Sequence, residues 1–166
     1  ATYDAKAVER CWKVLSFSAK VFEEFRTRYV GKSSPVQFWW GSFDLAVSRF
    51  SGRPAPPKPG AGAIEREAYS HEVSSAGFWP GDARYPAPAF YAYTVPSPQQ
   101  LQAAQVRPTD AFWHRELSEF LLPFEAIRAT EFPRDHLLDF LQSTYEAGAN
   151  LAGWDRDALE RRDSRP

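Results

Sequence analysis

Apolar side chains recur every three or four residues near both ends of the chain, which is the spacing of an amphipathic helix. Asp4 is a candidate N-cap for the first helix, and Gly31 is its expected end. Pro133 suits the first turn of the second helix. The apolar stripe of the first helix is formed by Val8, Cys11, Trp12, Leu15, Ala19, Phe22 and Phe25. That of the second is formed by Leu137, Leu138, Leu141, Tyr145 and Ala149.

Between these helices the period changes to two, which indicates β-strands. Residues 36–50 have an apolar face and a face that alternates aromatic and polar residues, and they predict one long strand, with a bulge or close backbone approach at Gly41. The Pro/Gly-rich residues 51–63 predict a long loop that either covers something or is mobile. Further strands are predicted over residues 66–80, 89–95, 111–117 and 119–124, with a tight hairpin turn around Ser118 and Glu119.

The order of one helix, four or five strands and one helix predicts an α+β domain, in which an antiparallel sheet carries its helices on one face. A chain of 166 residues is long enough for one such domain and short for two, so we expect residues 1–166 to fold together. The charged residues 155–166 are predicted to fray.

Composition and charge narrow the classes of partner. The formal net charge is -1 and the basic residues are spread evenly, so nucleic acid is not an expected partner. No apolar run reaches the length of a membrane helix, and the polar N-terminal residues lack the apolar core of a signal peptide. We therefore expect a cytoplasmic protein with no membrane partner. Cys11 stands alone within the first apolar stripe and is interpreted as a buried structural thiol.

The standard signatures of cofactor, metal and nucleophile sites are missing from the sequence. The chain has three histidines, and their spacing does not require a metal site. His71 and Glu72 are adjacent in a predicted strand, so their side chains point to opposite faces and cannot bind one ion. Gly60 and Gly62 lack the Lys-Ser/Thr of a phosphate-binding loop. The sequence predicts neither a metal nor a cofactor.

What remains is a group of aromatic and polar residues on neighbouring predicted strands. Such a mixture is typical of a small-molecule pocket. The candidate ligand-binding residues are Trp40, Ser42, Asp44, Arg49, His71, Ser74, Tyr91 and Tyr93. Which face of the second strand takes part depends on register, so His71 with Tyr69 and Glu72 with Ser74 are alternatives. It is equally open that Asp44 and Glu72 form structural ion pairs with arginines such as Arg49.

Three functions fit these residues. We favour a small-molecule binding or sensing domain, whose pocket could be covered by the loop 51–63. The first alternative is a structural or interaction module that uses its aromatic face to pack on a partner. The second is a hydrolase or isomerase in which His71 acts as the base and Asp44 or Glu72 orients it.

Several long blocks of the sequence resemble an uncharacterised bacterial family, domain of unknown function 5996. The blocks include YVGKSSPVQFWWGSFDLAVSRFSGR, YSHEVSSAGFWPG, AFYAYTVPSP, EFLLPFEAIR and LLDFLQSTYEAGANLAGWD. The resemblance implies no activity or catalytic residue. Its members are about twice as long, so this chain is similar to their C-terminal half, which would explain the absence of Met. It also implies that the first helix packs on a missing N-terminal half or self-associates.

Overall fold

In the computed structural model, which describes residues 3–57 and 59–161, a six-stranded sheet lies against two long helices. The helices are α1 (Ala5–Thr27), α2 (Ala63–Ala68), α3 (Phe124–Ala129), α4 (Pro133–Leu151) and α5 (Arg156–Leu159). The strands are β1 (Gln37–Trp39), β2 (Asp44–Pro54), β3 (His71–Trp79), β4 (Ala89–Val95), β5 (Phe112–His114) and β6 (Glu119–Pro123), and a 3-10 helix spans Leu101–Ala103. The predicted α+β class is confirmed, with six strands instead of four or five.

The two faces of the sheet are covered differently. The strands follow the order β1-β2-β3-β4-β6-β5, and every neighbouring pair is antiparallel. The apolar stripes of α1 and α4 pack against Val47, Phe78 and Phe90 on one face, which we call the helix face. Side chains alternate along a strand, so the residues between these point to the other side, the open face. Both long helices therefore leave the open face free for other uses.

The start of the sheet differs from the predicted single strand over residues 36–50, and that prediction is wrong. The chain reverses at residues 40–43, where Phe43 has a positive φ of 56°, so β1 and β2 form a hairpin. The two sets of residues at alternate positions are continuous through the turn, so the period of two does not reveal it. The turn carries Trp40 out of the sheet, and Phe38 joins the edge of the helix-face core.

The predicted loop over residues 51–63 and the predicted strand over residues 66–80 also have different bounds in the structure. β2 continues to Pro54, which lies opposite His71 after a register shift, so the loop begins later than residue 51. Residues 63–68 form α2 rather than the end of a loop and the start of a strand, and β3 begins at His71.

The first helix ends earlier than predicted, because α1 ends at Thr27 and not at Gly31. A Cβ there would lie 2.7 Å from the Leu159 side chain, so this glycine permits a close contact.

The C-terminal residues up to 161 are held in place, contrary to the predicted fraying of residues 155–166. Asp155 caps α5, and the Val30 amide donates to the Leu159 carbonyl at 2.8 Å. The Arg161 amide donates to the Arg28 carbonyl at 2.9 Å, so this segment is anchored to the end of α1. Residues 162–166 lie outside the described residues.

The wide apolar surface expected on α1 is divided between core and solvent. Val21, Phe22 and Phe25 are buried, whereas Trp12 is 69 % exposed and Val8 is 47 % exposed. Association through this surface, with a missing half or a second copy, stays a prediction. Within residues 3–57 and 59–161, no helix has the length and apolarity needed to cross a membrane.

Candidate functional site

Small residues at the centre of the open face create a depression that two tyrosines partly fill. In the β3–β4 register, Gly77 lies opposite Tyr91 and Ser75 lies opposite Tyr93. The two phenol rings stack with centroids 6.0 Å apart and an interplanar angle of 10°. A Cβ on Gly77 would come within 2.5 Å of the Tyr91 hydroxyl, so the missing side chain lets the Tyr91 ring extend across β3.

The Tyr91 hydroxyl reaches a buried carboxylate on β2. Asp44 is 6 % exposed, and its two oxygens accept hydrogen bonds from the hydroxyls of Tyr91 and Ser42. Burial, together with the negative charge of Asp44, raises the pKa of Tyr91 well above its ordinary value. Tyr91 therefore keeps its proton and acts as a donor to Asp44 at neutral pH.

A second chain of hydroxyls runs beside this one. Ser48 Oγ on β2 donates to Ser75 Oγ on β3 at 3.0 Å. The hydroxyls of Tyr93 and Tyr69 are 3.3 Å apart, and either one can donate. Burial and the neighbouring Tyr69 raise the pKa of Tyr93. The centre of the open face is thus built from neutral hydroxyl groups that surround one carboxylate.

Glu119, at the start of β6, adds a second carboxyl group with unusual titration. Burial raises its pKa to about 7, and the charges of Asp44 and Asp82 act in the same direction, while Arg84 opposes them. Near neutral pH this carboxyl group is therefore divided between its protonated and ionised forms, so it is able both to donate and to accept a hydrogen bond.

Two adjoining cavities open beside these groups. The first, which we call the central cavity, has a volume of about 680 Å³ and is bordered by Asp44, Ser48, Ser75, Tyr91 and Tyr93. The second, the side cavity, has a volume of about 800 Å³ and lies below α2 and the loop that follows β2. Tyr69, Ser70, Tyr93, Leu117 and Glu119 line both cavities. Both volumes fall in the range of sites that bind small molecules.

His71 and Glu72 occupy different surroundings, as adjacent strand residues should. His71 lies at the border of the central cavity, where its Nδ1 is 3.2 Å from Ser70 Oγ. The Glu72 carboxylate accepts hydrogen bonds from Arg53 at 2.7 Å and from Ser51 at 2.9 Å, which makes it a structural ion pair. Among the described residues, no carboxylate hydrogen bonds to His71, so the arrangement expected for a His71 base is not formed.

The structure brings together five of the eight candidate binding residues. Those that border the central cavity are Ser42, Asp44, His71, Tyr91 and Tyr93. Trp40 lies in the exposed β1–β2 turn, so its predicted place on the pocket wall is wrong. Arg49 and Ser74 are paired in the β2–β3 register on the helix face. Arg49 is five positions after Asp44 on the same strand, and an odd offset puts their side chains on opposite faces.

Several residues of the site are not predicted from the sequence, among them Ser48, Ser75, Glu119, Arg84 and Gly77. Glu119 reaches the cavity only through the pairing of β6 with β4, and Arg84 reaches it from the loop between β3 and β4, so no local signal in the sequence indicates either residue. Gly77 did carry a signal, because a glycine inside a predicted strand indicates close approach of another group.

Two findings complete the description of the site: one concerns metal ligands and the other concerns related proteins. In the part of the chain that the structure describes, no three His, Cys, Asp or Glu side chains are grouped so that they could hold a metal ion. Searches of curated proteins and of solved structures gave no match. The sequence does match one family over residues 1–161, nearly its whole length. The chain therefore belongs to the family of unknown function DUF5996.

Proposed function

We propose that the open face binds a small organic molecule in the central cavity, with Asp44 and Tyr91 as its polar anchor. The observation that carries this proposal is a buried carboxylate, hydrogen bonded by two hydroxyls, at the edge of a cavity. Burying a carboxylate costs several kcal/mol unless hydrogen bonds offset it. A sheet face that served only as core would use apolar residues here, as the helix face mostly does.

The surroundings of the anchor support binding rather than simple packing. Two cavities adjoin, and both are lined by aromatic side chains together with a few polar groups, which is the usual composition of a ligand site. Ser48, Ser75 and Tyr69 add hydroxyls that either donate or accept, so they suit a ligand with several polar atoms.

The test is a ligand screen with matched tyrosine variants. Thermal shift and amide NMR spectra would be recorded with a panel of amino acids, amines, sugars, nucleosides and carboxylates. Tyr91→Phe removes the hydroxyl that bonds to Asp44, and Asp44→Asn removes the charge. Tyr29→Phe is the control, because it removes a buried hydroxyl that donates to the Phe50 carbonyl at 2.6 Å outside the hydroxyl network.

We expect at least one panel member to shift the amide signals of β2, β3 and β4 around the cavity. Tyr91→Phe and Asp44→Asn should weaken its affinity by about tenfold or more, since a hydrogen bond to a charged group is worth about 1.5–3 kcal/mol. Tyr29→Phe should leave it unchanged. The proposal fails if no member of the panel perturbs the open face, or if the control variant weakens binding equally.

A further inference from the structure

We propose that the ligand of the open face is an organic amine with an apolar substituent, its ammonium group near Asp44 and its apolar part in the side cavity. This inference rests on the proposed function and specifies its ligand. It depends on three features of the two cavities: where their charges are buried, which rings line them, and how their linings differ.

The buried charge at the central cavity is negative. Asp44 is almost wholly buried at its border, and Glu119 lies on the wall shared with the side cavity. Among the described residues, the Lys and Arg side chains that border the central cavity lie at its edge and already have partners. Lys32 stands over the Phe50 ring, 5.3 Å from its centroid, and the half-exposed Arg84 pairs with Asp82 at 2.7 Å. An anionic ligand would have to approach Asp44 against like-charge repulsion, whereas an ammonium group gains attraction.

The aromatic lining favours the same sign of charge. Trp79, Tyr91 and Tyr93 border the central cavity, and Trp39 lies at its edge. The faces of aromatic rings carry negative electrostatic potential, so they attract ammonium groups and repel carboxylates. Rings and a buried carboxylate together form a combination that selects organic cations over anions of the same size.

The side cavity has a different lining, which indicates an apolar occupant. Much of its wall consists of Ala55, Pro56, Pro57, Val95, Pro96 and Leu117. Arg66 also borders it, but its guanidinium donates to the Ala61 carbonyl. The contact between Tyr69 and Tyr93 lies where the two cavities meet. A molecule that spans this point meets polar groups on one side and apolar groups on the other.

The test uses n-butylammonium, n-hexylammonium and n-octylammonium, with hexanoate and octanoate as charge-reversed partners. Affinity would be measured by isothermal titration calorimetry, and the site would be located by amide chemical shifts. We expect the ammonium ions to bind at the open face and to tighten about threefold to fourfold per added methylene, as burial of each CH₂ predicts. The carboxylates should bind at least tenfold more weakly than the ammonium ions of equal length.

Two variants separate the parts of the proposal. Asp44→Asn should weaken all three ammonium ions about equally, because each one uses the same head-group contact. Ala55→Trp places a large side chain in the side cavity, so it should abolish the chain-length dependence while n-butylammonium binds as before. Ala103→Trp is the matched control, since this exposed residue lines neither cavity.

The outcomes distinguish this inference from the proposed function. Equal or tighter binding of carboxylates at the open face would overturn the amine assignment and leave the binding function standing. Ammonium binding that does not depend on chain length would overturn the role of the side cavity. Absence of ammonium binding, while another class of molecule binds at the open face, would overturn the inference alone. If no class of molecule perturbs the open face, the proposed function fails as well.

Discussion

Among the described residues, each face of the sheet holds one deeply buried charge, Arg49 on the helix face and Asp44 on the open face, and their surroundings differ. On the helix face, the Arg49 guanidinium has its Cζ 3.4 Å from the centroid of the Phe25 ring, with Tyr29 and Tyr145 also around it. Its Nη2 donates to the Phe25 carbonyl, while Nε and Nη1 have no hydrogen-bond partner among the described residues. Burial lowers the pKa of Arg49 to about 10, so it remains a cation at neutral pH.

Asp44 on the open face has both oxygens hydrogen bonded and borders a cavity. Arg49 is enclosed by rings from α1 and α4, and it lines neither the central nor the side cavity. A buried charge is therefore a poor guide to function when it is considered alone. What separates the two residues is the space beside the charge, which allows a ligand to approach Asp44 and leaves Arg49 a structural role.

The largest expected effect comes from Arg49→Ala. Removing this side chain leaves a cavity between aromatic rings and should destabilise the fold by about 3–5 kcal/mol. Arg49→Met fills much of the same space without a charge and should recover most of that loss, since a buried, partly unpaired charge contributes little net stability. Urea unfolding measures both variants. If Arg49→Met is as unstable as Arg49→Ala, the cation itself stabilises the fold, and the expectation that the filled space matters more than the charge is wrong.

Gly77→Ala tests the open face by moving one tyrosine. The added methyl group would lie 2.5 Å from both the Tyr91 hydroxyl and the Leu45 carbonyl, so the Tyr91 ring or the β2 backbone must shift, which disturbs the contact between Tyr91 and Asp44. Overpacking of this kind costs about 1–3 kcal/mol, and the loss of the Asp44 contact should weaken ligand binding as well. Gly41→Ala is the control, because its Cβ would meet no atom within 4 Å. Equal thermal unfolding temperatures for the two variants would contradict the assigned role of Gly77.

Alternation along the strands predicts an antiparallel sheet and several of the residues that border the central cavity. Residue type and strand membership alone predict Asp44, His71, Tyr91 and Tyr93, which all border the central cavity. A strand period does not indicate where the chain turns or which distant segment pairs with a strand. Trp40 occupies the strand period but lies in a hairpin turn, and Arg49 is near Asp44 in the sequence but on the opposite face of β2.

Glu119 shows the second kind of failure. It reaches the cavity because β6 pairs with β4, which pairs with β3. No local pattern in the sequence predicts these registers. The raised pKa of this residue is likewise a property of the assembled site, since burial by several segments causes it. From the sequence, Glu119 is merely one residue of a predicted hairpin turn.

The raised pKa of Glu119 predicts that the stability of the fold depends on pH. The ordinary pKa of this carboxyl group is 4.5 and its pKa in the folded state is about 7. Between these two pH values the folded state therefore binds more protons than the unfolded state. Stability from this group is therefore full below about pH 4.5 and is lost as the pH rises through 7. The charged and titratable groups that face Glu119 are Arg84 and Asp82 from the β3–β4 loop, Asp44, Tyr91 and Tyr93, and His114 opposite it on β5.

Glu119→Gln should remove that dependence. Each unit of pKa difference is worth about 1.4 kcal/mol, and partial exposure reduces the effect, so the variant should gain about 1–2 kcal/mol over the wild type between pH 5 and pH 8. Urea unfolding across this range provides the measurement. Glu116→Gln is a suitable control, because this exposed neighbour lines neither cavity. A constant difference between Glu119→Gln and the wild type at all pH values would show that Glu119 titrates normally.

The smallest expected effect separates two adjacent tryptophans. Trp39 lies on β1 and borders the central cavity, whereas Trp40 is 83 % exposed in the turn and lines neither cavity. Trp40 contacts Phe38 edge-to-face with centroids 5.3 Å apart, a contact largely open to water. Trp40→Ala should therefore change the free energy of unfolding by no more than about 0.5 kcal/mol and leave ligand affinity unchanged.

Trp39→Ala should also change stability little, but it should weaken ligand affinity, because it removes a ring from the edge of the cavity. This pair compares two surface tryptophans of one hairpin that differ in whether they border the central cavity. If Trp40→Ala weakens binding as much as Trp39→Ala, the ligand extends beyond the central cavity onto the turn. Trp40 would then belong to the binding site, as the sequence predicts, but through contact with the ligand at the turn and not through a place on the strand.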